Sequence, residues 1–353
     1  MPDQSALHAA LITLPGCAGV KPGDLKPLHV AGIAHDHVHV RGLELGGKPA
    51  LLRVPRLSQW GLAPEANLAY QRACFERAAP SGATPALLAT LPVSAALPMG
   101  ALVVEAIAGR KPKLPGEMAA IAASLARLHH LPVPPPDARP PLQVHADAVA
   151  GTLNVIEEQA GFVDDAGLAP AARAAIADEL DRARGFAREA AGREQPLRLV
   201  ATDAHPGNFL IDARGRAILV DLEKALYGAP AIDLAHASLP TSTLWDPDIA
   251  TELAPPAVAA FYRAYLDAAG APLAAAVRPW IQPMRRLTWL RTLTWCVRWR
   301  VLSARDPDWS AASLAPDFRA HLERILPRYF DADSIAAVRA GFDDETLVAA
   351  IAE

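Results

Sequence analysis

The segment that decides the fold is residues 197–239, LRLVATDAHPGNFLIDARGRAILVDLEKALYGAPAIDLAHASL. It contains two short apolar runs, FLID at 209–212 and AILV at 217–220, which flank the polar residues ARGR at 213–216. Apolar runs of this length that are separated by a few turn-forming residues are typical of two paired strands. We therefore predict a β-hairpin with a four-residue loop in this segment.

The register of the hairpin predicts which polar side chains meet at its open end. Pairing Asp212 with Ala217 places Asn208 opposite Asp221. Asp203 lies five residues before Asn208, on the loop that leads into the first strand. Amide and carboxylate oxygens are hard ligands suited to Mg²⁺, which commonly takes few protein ligands together with substrate phosphates. We therefore predict a magnesium site here.

The order of these residues resembles a known family. An Asp, an Asn five residues later, a hairpin and a second Asp are similar to the catalytic and metal-binding loops of the protein-kinase-like fold. Six further stretches resemble the aminoglycoside phosphotransferase and choline kinase-like family: LLRVPR, LVVEAIAGR, SLARLHHLPVP, HPGN, DLE and GAPAIDLAH. The linked set carries the resemblance, because the Asp-to-Asn spacing alone also occurs by chance.

The resemblance implies an α+β, two-lobed protein-kinase-like fold. A small, β-rich, nucleotide-binding lobe would span residues 1–104, and a hinge would span residues 105–110. A larger, mostly helical lobe at 111–353 would hold the catalytic loop, the metal loop and the acceptor site. Local patterns agree, since strand-like runs dominate the first hundred residues. Helical periodicity predicts helices at 65–79, 116–130, 169–190 and 284–302.

The same resemblance implies roles for individual residues. Asp203 would be the base or positioning carboxylate for the acceptor hydroxyl. Asn208 and Asp221 would hold Mg²⁺, and Glu223 would assist, as in methylthioribose kinase-like members of the family. Arg53 would meet the phosphates of ATP in place of the more familiar lysine, because a guanidinium also binds phosphate, with a different fork geometry.

Two further roles follow, together with two departures from the family pattern. Backbone groups from Glu105 to Ile107 would receive the adenine, and Asp233 would brace the catalytic loop. The histidine usually found two residues before the catalytic Asp is replaced by Ala201, and the usual glycine between them by Thr202. Because that histidine supports the loop, these replacements bear on the geometry of the loop more than on its chemistry.

The nucleotide lobe also departs from the family pattern. The glutamate that pairs with the phosphate-binding cation is expected near Gln71, with Glu65 and Glu76 as alternatives. The phosphate-covering loop, GIAHDHVH at 32–39, has Gly32 as its single glycine.

Histidines suggest alternative sites. His35, His37 and His39 alternate along a strand and therefore share a face, which fits either a zinc site or a cluster beside the nucleotide. We favour the second interpretation, because zinc usually needs further ligands that are not evident. His205 is interpreted as a loop-packing group rather than a catalytic one.

The predicted helix at 284–302 combines an apolar stripe with several arginines. Guanidinium groups that are removed from water need acceptor partners. Two interpretations stay open. Either the arginines pair with acids such as Asp306 and Asp308 or reach solvent, or Arg291 and Arg298 help to hold an acceptor that carries an acidic group.

Composition excludes several classes of protein. The net charge of −4, without blocks of like charge, argues against a nucleic-acid partner. Three scattered cysteines indicate a reducing compartment, and the N-terminus has no signal-peptide pattern. The apolar stretch 84–104 is interrupted by prolines, so we predict a buried loop and strand rather than a membrane span. We expect a cytoplasmic protein.

These observations predict an ATP- and Mg²⁺-dependent phosphotransferase that acts on a hydroxyl of a small molecule. The alternative from another class is a nucleotide-binding pseudokinase with a regulatory or scaffolding role. Nucleotidyl transfer on the same fold also stays open. The sequence does not identify the acceptor or the oligomeric state, because a fold does not specify a substrate.

Overall fold

The N-terminal part of the protein is built on an antiparallel sheet. Its strands are β1 (Leu25–Leu28), β2 (His35–Leu45), β3 (Lys48–Pro55), β4 (Leu87–Leu91) and β5 (Ala101–Glu105), in the spatial order β1-β2-β3-β5-β4. The β2–β3 turn uses Gly46 and Gly47, both at positive φ, which glycine adopts without steric penalty. The structure is a computed structural model that describes residues 3–28, 34–306, 309, 314–342 and 344–352.

Two helices accompany this sheet, α1 (Gln4–Leu11) and α2 (Pro64–Ala78). Helix α2 was predicted from its periodicity and is confirmed. Its Phe75 is fully buried, and its Tyr70 donates a hydrogen bond of 2.8 Å to the carbonyl of Ala225 in the C-terminal part. Helix α2 therefore connects the sheet to the segment that follows the metal loop.

The C-terminal part is mostly helical. Its helices are α3 (Met118–His129), α4 (Ala148–Ala160), α5 (Pro170–Ala190), α6 (Ala231–Ser238), α7 (Pro240–Thr243), α8 (Pro255–Arg305), α9 (Pro316–Tyr329), α10 (Ala332–Gly341) and α11 (Glu345–Ala352). The helices predicted at 116–130, 169–190 and 284–302 correspond to α3, α5 and the second half of α8. Helix α8 bends at Gly270, where φ is 68°, and packs against α3, α4, α6 and α11.

Short strands interrupt these helices. They are β6 (Gly109–Arg110), β7 (Arg198–Val200), β8 (Phe209–Asp212), β9 (Ala217–Leu219) and β10 (Leu226–Gly228). Strands β6, β8 and β9 form one sheet, and β7 pairs with β10. The α+β architecture, with a sheet-rich first part and a helical second part, agrees with the sequence prediction.

The predicted hairpin is β8–β9, but its predicted register is wrong by one residue. Ile211, not Asp212, pairs with Ala217, so Asn208 lies opposite Val220 rather than Asp221. The cause is the turn, because the Asp212 carboxylate accepts backbone N–H bonds from Arg214 and Arg216, each of 2.9 Å. Asp212 stays in β8, where its N–H donates to the Arg216 carbonyl at 3.0 Å, so it pairs with Arg216 across a three-residue loop that its carboxylate caps.

The apolar stretch at 84–104 contains β4 and most of β5, as predicted, and not a helix. Among the described residues, no helix has both the length and the apolar character needed to cross a membrane. Cys17, Cys74 and Cys296 are buried free thiols. A cytoplasmic location stays a prediction from cysteine usage.

Candidate functional site

A cleft of about 550 Å³ lies between the N-terminal sheet and the helical part. Its walls come from β2, β3, the segment after β5, the loop before β8, the segment after β9, and helices α6 and α8. Pockets of this size commonly bind small molecules or cofactors. All seven residues singled out from the sequence as a catalytic, metal or nucleotide group line this cleft: Arg53, Glu105, Ile107, Asp203, Asn208, Asp221 and Glu223.

The loop before β8 is braced from α6. Asp233 is fully buried and accepts N–H bonds of 2.7 Å from both Ala201 and Thr202. His129 of α3 lies against the same carboxylate, with Nε2 3.1 Å from Oδ2, and its Nδ1 contacts the hydroxyl of Tyr265. An imidazole from α3 therefore supports the loop in which Ala201 replaces the histidine of the family pattern.

Thr202 has a strained backbone. Its φ of 58° lies in the left-handed region, which costs a β-branched residue about 1–3 kcal/mol. Three contacts hold it there: the Asp233 carboxylate, the Lys224 carbonyl, which accepts from the Thr202 hydroxyl at 2.9 Å, and Arg291, which donates to the Thr202 carbonyl at 2.9 Å. Thr202 directly precedes Asp203, so the backbone strain lies in the loop that positions the Asp203 carboxylate.

Asp203 faces the cleft beside a lysine. Lys224 Nζ lies 2.7 Å from Asp203 Oδ2, and His236 Nε2 lies 3.7 Å from Oδ1. Burial is the largest single effect on the pKa of the Asp203 carboxyl and raises it, but the Lys224 ammonium, His236 and His205 together outweigh burial. The pKa therefore lies well below its ordinary value, and the carboxylate is ionised at neutral pH.

Asn208 is oriented by the loop itself. Its Nδ2 donates a hydrogen bond of 2.8 Å to the Asp203 carbonyl, which leaves Oδ1 as its ligand atom. The preceding Gly207 is required, because a Cβ there would lie 2.7 Å from Oδ2 of Asp246. Lys111 pairs with Asp246 at 2.9 Å and donates to the Gly207 carbonyl. The glycine of HPGN thus lets this ion pair lie directly against the loop.

Asp221 is paired with the predicted phosphate-binding cation. Arg53 is 2% exposed; its Nη2 donates to Asp221 Oδ1 at 2.7 Å and its Nη1 to the Val220 carbonyl at 2.9 Å. Burial is the largest single effect on the pKa of Asp221 and raises it, but Arg53, His35 and His37 together outweigh burial, and the pKa is lowered to about 2. The carboxylate partner of Arg53 in this structure is therefore Asp221 and not a glutamate of α2.

Glu223 lies in a buried polar cluster with two residues of the N-terminal part. His35 Nδ1 is 3.4 Å from Glu223 Oε2, and His35 Nε2 is 2.9 Å from Gln71 Oε1. Burial, with a contribution from Asp221, raises the pKa of Glu223 to about 8. Gln71, at the position where the family pattern has a glutamate, thus contacts His35 and not Arg53.

The alternating histidines of β2 face the cleft, as their spacing predicted. His35, His37 and His39 all line it, and His37 Nε2 lies 3.3 Å from Arg53 Nη1. Gly32 of the predicted phosphate-covering loop lies outside the described residues. Through His37, the histidine cluster borders the Arg53–Asp221 pair.

In the segment after β5, the Glu105 side chain is bonded to protein groups, whereas, among the described residues, the backbone N–H of Ile107 is not. The Glu105 carboxylate pairs with Lys48 at 2.6 Å and accepts the Ala86 N–H at 3.2 Å. Ala106 donates its N–H to the Pro49 carbonyl at 2.7 Å. Within the described part of the chain, the Ile107 N–H has no protein acceptor. A planar ring that carries a hydrogen-bond acceptor would accept the Ile107 N–H.

The donor set at the base of the cleft has the chemistry of a magnesium site. Asp221 and Glu223 carry carboxylates, Asn208 offers an amide oxygen, and the buried Glu223 Oε2 makes no hydrogen bond to the described residues, with His35 Nδ1 3.4 Å away. Among the described residues, no group of three or more His, Cys, Asp or Glu side chains is arranged to hold a metal alone. Mg²⁺ commonly takes one or two carboxylates and completes its shell with phosphate and water, so the carboxylate and amide oxygens at this position are of the type it binds.

The arginines of α8 have different surroundings in the structure. Arg286 forms two hydrogen bonds with Glu179, and Arg298 pairs with Glu158 at 3.1 Å, away from the cleft. Arg291 alone of these three lines the cleft. Asp308, one of the acids considered from the sequence, lies outside the described residues. The interpretation in which Arg298 shares the acceptor site with Arg291 is therefore wrong, because Arg298 lies about two helical turns, roughly 10 Å, further along α8 and pairs with Glu158 there.

Sequence reasoning missed Lys224 and His129. Lys224 directly follows the DLE motif, and this adjacency was the available signal. His129 ends the predicted helix α3, but its partner Asp233 is 104 residues away. No local pattern identifies such a contact.

Residues 25–280 match the phosphotransferase enzyme family known as APH. No curated protein sequence matches the chain significantly. A choline/ethanolamine kinase family protein from Mesorhizobium loti superposes with a TM-score of 0.60 at 20% identity, over 99% of this chain and 97% of that one. The GDP complex of aminoglycoside 2'-phosphotransferase-IIIa has a TM-score of 0.57 at 16% identity, over 95% and 99%.

A third structure, spectinomycin phosphotransferase in complex with ADP and spectinomycin, has a TM-score of 0.55 at 13% identity, over 92% of this chain and 93% of that one. At these identities the likeness concerns the fold. It confirms the two-lobed, protein-kinase-like architecture that the sequence predicted.

Proposed function

The chain belongs to the phosphotransferase enzyme family, and from that premise we propose that it transfers the γ-phosphoryl group of ATP, with Mg²⁺, to a hydroxyl of a small molecule. The observation that carries the proposal is the position of Asp203, Asn208 and Asp221 on one cleft between the two lobes. Solved relatives of similar fold hold GDP or ADP, which supports a nucleotide donor.

Asp203 would orient the acceptor. An ionised carboxylate accepts the hydrogen bond of a hydroxyl group and can take its proton as the bond to phosphorus forms. Its low pKa makes it a weak base, which suits phosphoryl transfer through a loose transition state, where positioning contributes more than proton abstraction. Lys224 holds the carboxylate in place at 2.7 Å.

Asn208 Oδ1, Asp221 and Glu223 would hold Mg²⁺. The ion supplies neutralisation of phosphate charge when it is bound. Arg53 is the buried cation beside this donor set, and we assign it to the phosphates. The free N–H of Ile107 and the backbone next to it would receive the adenine.

The experiment is a nucleotide-binding and turnover assay on the full chain. ATP, with Mg²⁺ or with EDTA, is added, and ADP formation is measured with and without a panel of small alcohols. Mg²⁺-dependent stabilisation of the protein by ATP, together with acceptor-dependent ADP formation, is expected. Absence of nucleotide binding would contradict the proposal. Binding without turnover by any acceptor would instead favour the regulatory pseudokinase.

A further inference from the structure

Arg291 differs from the other cations in the wall of the cleft. Its Nη1 donates one hydrogen bond, of 2.9 Å, to the carbonyl of Thr202, the residue before Asp203. Among the described residues, no carboxylate lies within ion-pair distance of Arg291. A guanidinium has five N–H donors, so most of its hydrogen-bonding capacity remains for a ligand.

The two carboxylates on this side of the cleft, those of Asp203 and Asp246, each pair with a lysine. The Asp203 carboxylate pairs with Lys224 at 2.7 Å, and the Asp246 carboxylate pairs with Lys111 at 2.9 Å. Two imidazoles also neighbour Asp203: burial lowers the pKa of His236 to about 3, so it is neutral at pH 7, and burial also lowers the pKa of His205. Among the described residues, Arg291 is therefore the cation on this side of the cleft without a carboxylate at ion-pair distance, and the negative charges of Asp203 and Asp233 act on it only from further away.

An apolar surface adjoins these groups. Trp245 and Trp295 both line the cleft and meet edge to face, with ring centroids 5.4 Å apart. Lys224 Nζ lies 5.8 Å from the centroid of the Trp295 ring. Indole faces of this kind pack against the apolar faces of rings and short carbon chains.

We propose that the acceptor is an anionic alcohol: a hydroxylated molecule whose carboxylate or phosphate pairs with Arg291 while its carbon skeleton lies against Trp295. This inference rests on the proposed function, since it names the substrate class of the same site. An anion at Arg291 would satisfy a guanidinium that is otherwise largely withdrawn from water, and charge-assisted bonds of this type are strong. A cationic alcohol would face Arg291 and Lys224 without a free carboxylate to compensate it.

The test measures binding by thermal shift and calorimetry in the presence of Mg²⁺ and a non-hydrolysable ATP analogue. The anionic probes are glycerate and glycerol 3-phosphate, glycerol is the neutral probe, and choline is the cationic probe. We expect stabilisation by at least one anionic probe only. Arg291→Gln should weaken its binding roughly 10- to 100-fold, because bonds to charged groups contribute about 1.5–3 kcal/mol. Arg291→Lys should retain part of the affinity.

Arg300→Gln is the matched control, since Arg300 lies on the same helix and is exposed, against the ring of Phe330. It should bind the probes as the parent protein does. Stabilisation by choline, no binding of either anionic probe, or full anion affinity in Arg291→Gln would overturn the proposal. Nucleotide binding is measured in the same samples. If it persists in these cases, the proposed kinase function stands while the acceptor class is wrong.

Discussion

Lys224 holds the loop that carries Asp203 at two points. Its Nζ donates a hydrogen bond of 2.7 Å to Asp203 Oδ2, and its backbone carbonyl accepts the hydroxyl of Thr202 at 2.9 Å. The segment after β9 thus fixes both the conformation of the loop and the carboxylate that it presents. Lys224 follows Asp221 by three residues. One short segment therefore carries both the predicted metal ligand and the lysine that holds Asp203, the predicted acceptor-orienting group.

Replacing the carboxylate tests the central assignment. Asp203→Asn should lower kcat by about 10²–10⁴-fold, the usual contribution of a positioned proton acceptor. The affinity for Mg²⁺-ATP should change little, because Asp203 would contact the acceptor. Steady-state kinetics and nucleotide calorimetry on one preparation give both values. A variant with near-normal turnover would falsify the assignment.

Removing the lysine should change the pH dependence of the reaction. Burial raises the pKa of Asp203 and Lys224 lowers it, so in Lys224→Gln the pKa should rise. Activity that needs the ionised carboxylate would then be lost at a higher pH, and the acidic limb of the kcat profile should move upward by about one to three pH units. Lys113→Gln, at an exposed position, is the control. Identical acidic limbs in the two variants would argue against this role for Lys224.

Metal binding should release a proton. The pKa of Glu223 is raised to about 8 by burial and Asp221, so the metal-free protein holds this carboxyl protonated at pH 7. A metal ligand must be deprotonated, so Mg²⁺-ATP binding should release most of one proton at pH 7 and less at pH 9. Calorimetry in buffers of different ionisation enthalpy measures the release. Glu223→Gln should abolish it, and an unchanged release in that variant would exclude Glu223 as the source.

The stabilisation by nucleotide should depend on Asp221. Asp221→Asn preserves shape and an acceptor for Arg53, and it removes the charge that Mg²⁺ needs. At a ligand concentration of 100 times Kd, nucleotide binding stabilises a protein by about 2.7 kcal/mol. This Mg²⁺-dependent part of the Tm shift should disappear in the variant. Asp181→Asn, at a side chain 77% exposed, should shift like the parent protein. An equal shift in Asp221→Asn would remove Asp221 from the metal site.

The hydroxyl of Thr202 should matter for stability. Thr202→Val keeps the β-branched shape and its strain but leaves the Lys224 carbonyl without its donor, which should lower the free energy of unfolding by about 1–2 kcal/mol. Thr202→Ser keeps the hydroxyl and should stay within about 0.5 kcal/mol of the parent protein. Denaturant unfolding measures both changes. If the two variants are equally stable, the hydroxyl contributes nothing.

Local sequence patterns were sufficient to predict several helices and the β8–β9 hairpin, and to identify the main candidate site residues. Helices α2, α3 and α5 follow from apolar periodicity, and the β8–β9 hairpin from two apolar runs around a turn. These signals are readable because they depend on residues close together along the chain. Asp203, Asn208 and Asp221 could be placed on one cleft for the same reason, since a single short segment carries all three.

The tertiary structure decided the partners of these residues. Arg53 pairs with Asp221 across 168 positions, and His129 reaches Asp233 across 104. Arg291 lines the cleft, while Arg298, about two helical turns further along α8, pairs with Glu158, although one helical pattern contains both. Even the hairpin register needed the Asp212 cap. Such choices depend on packing between elements distant in sequence, and residue spacing along the chain does not encode the orientation of one element against another.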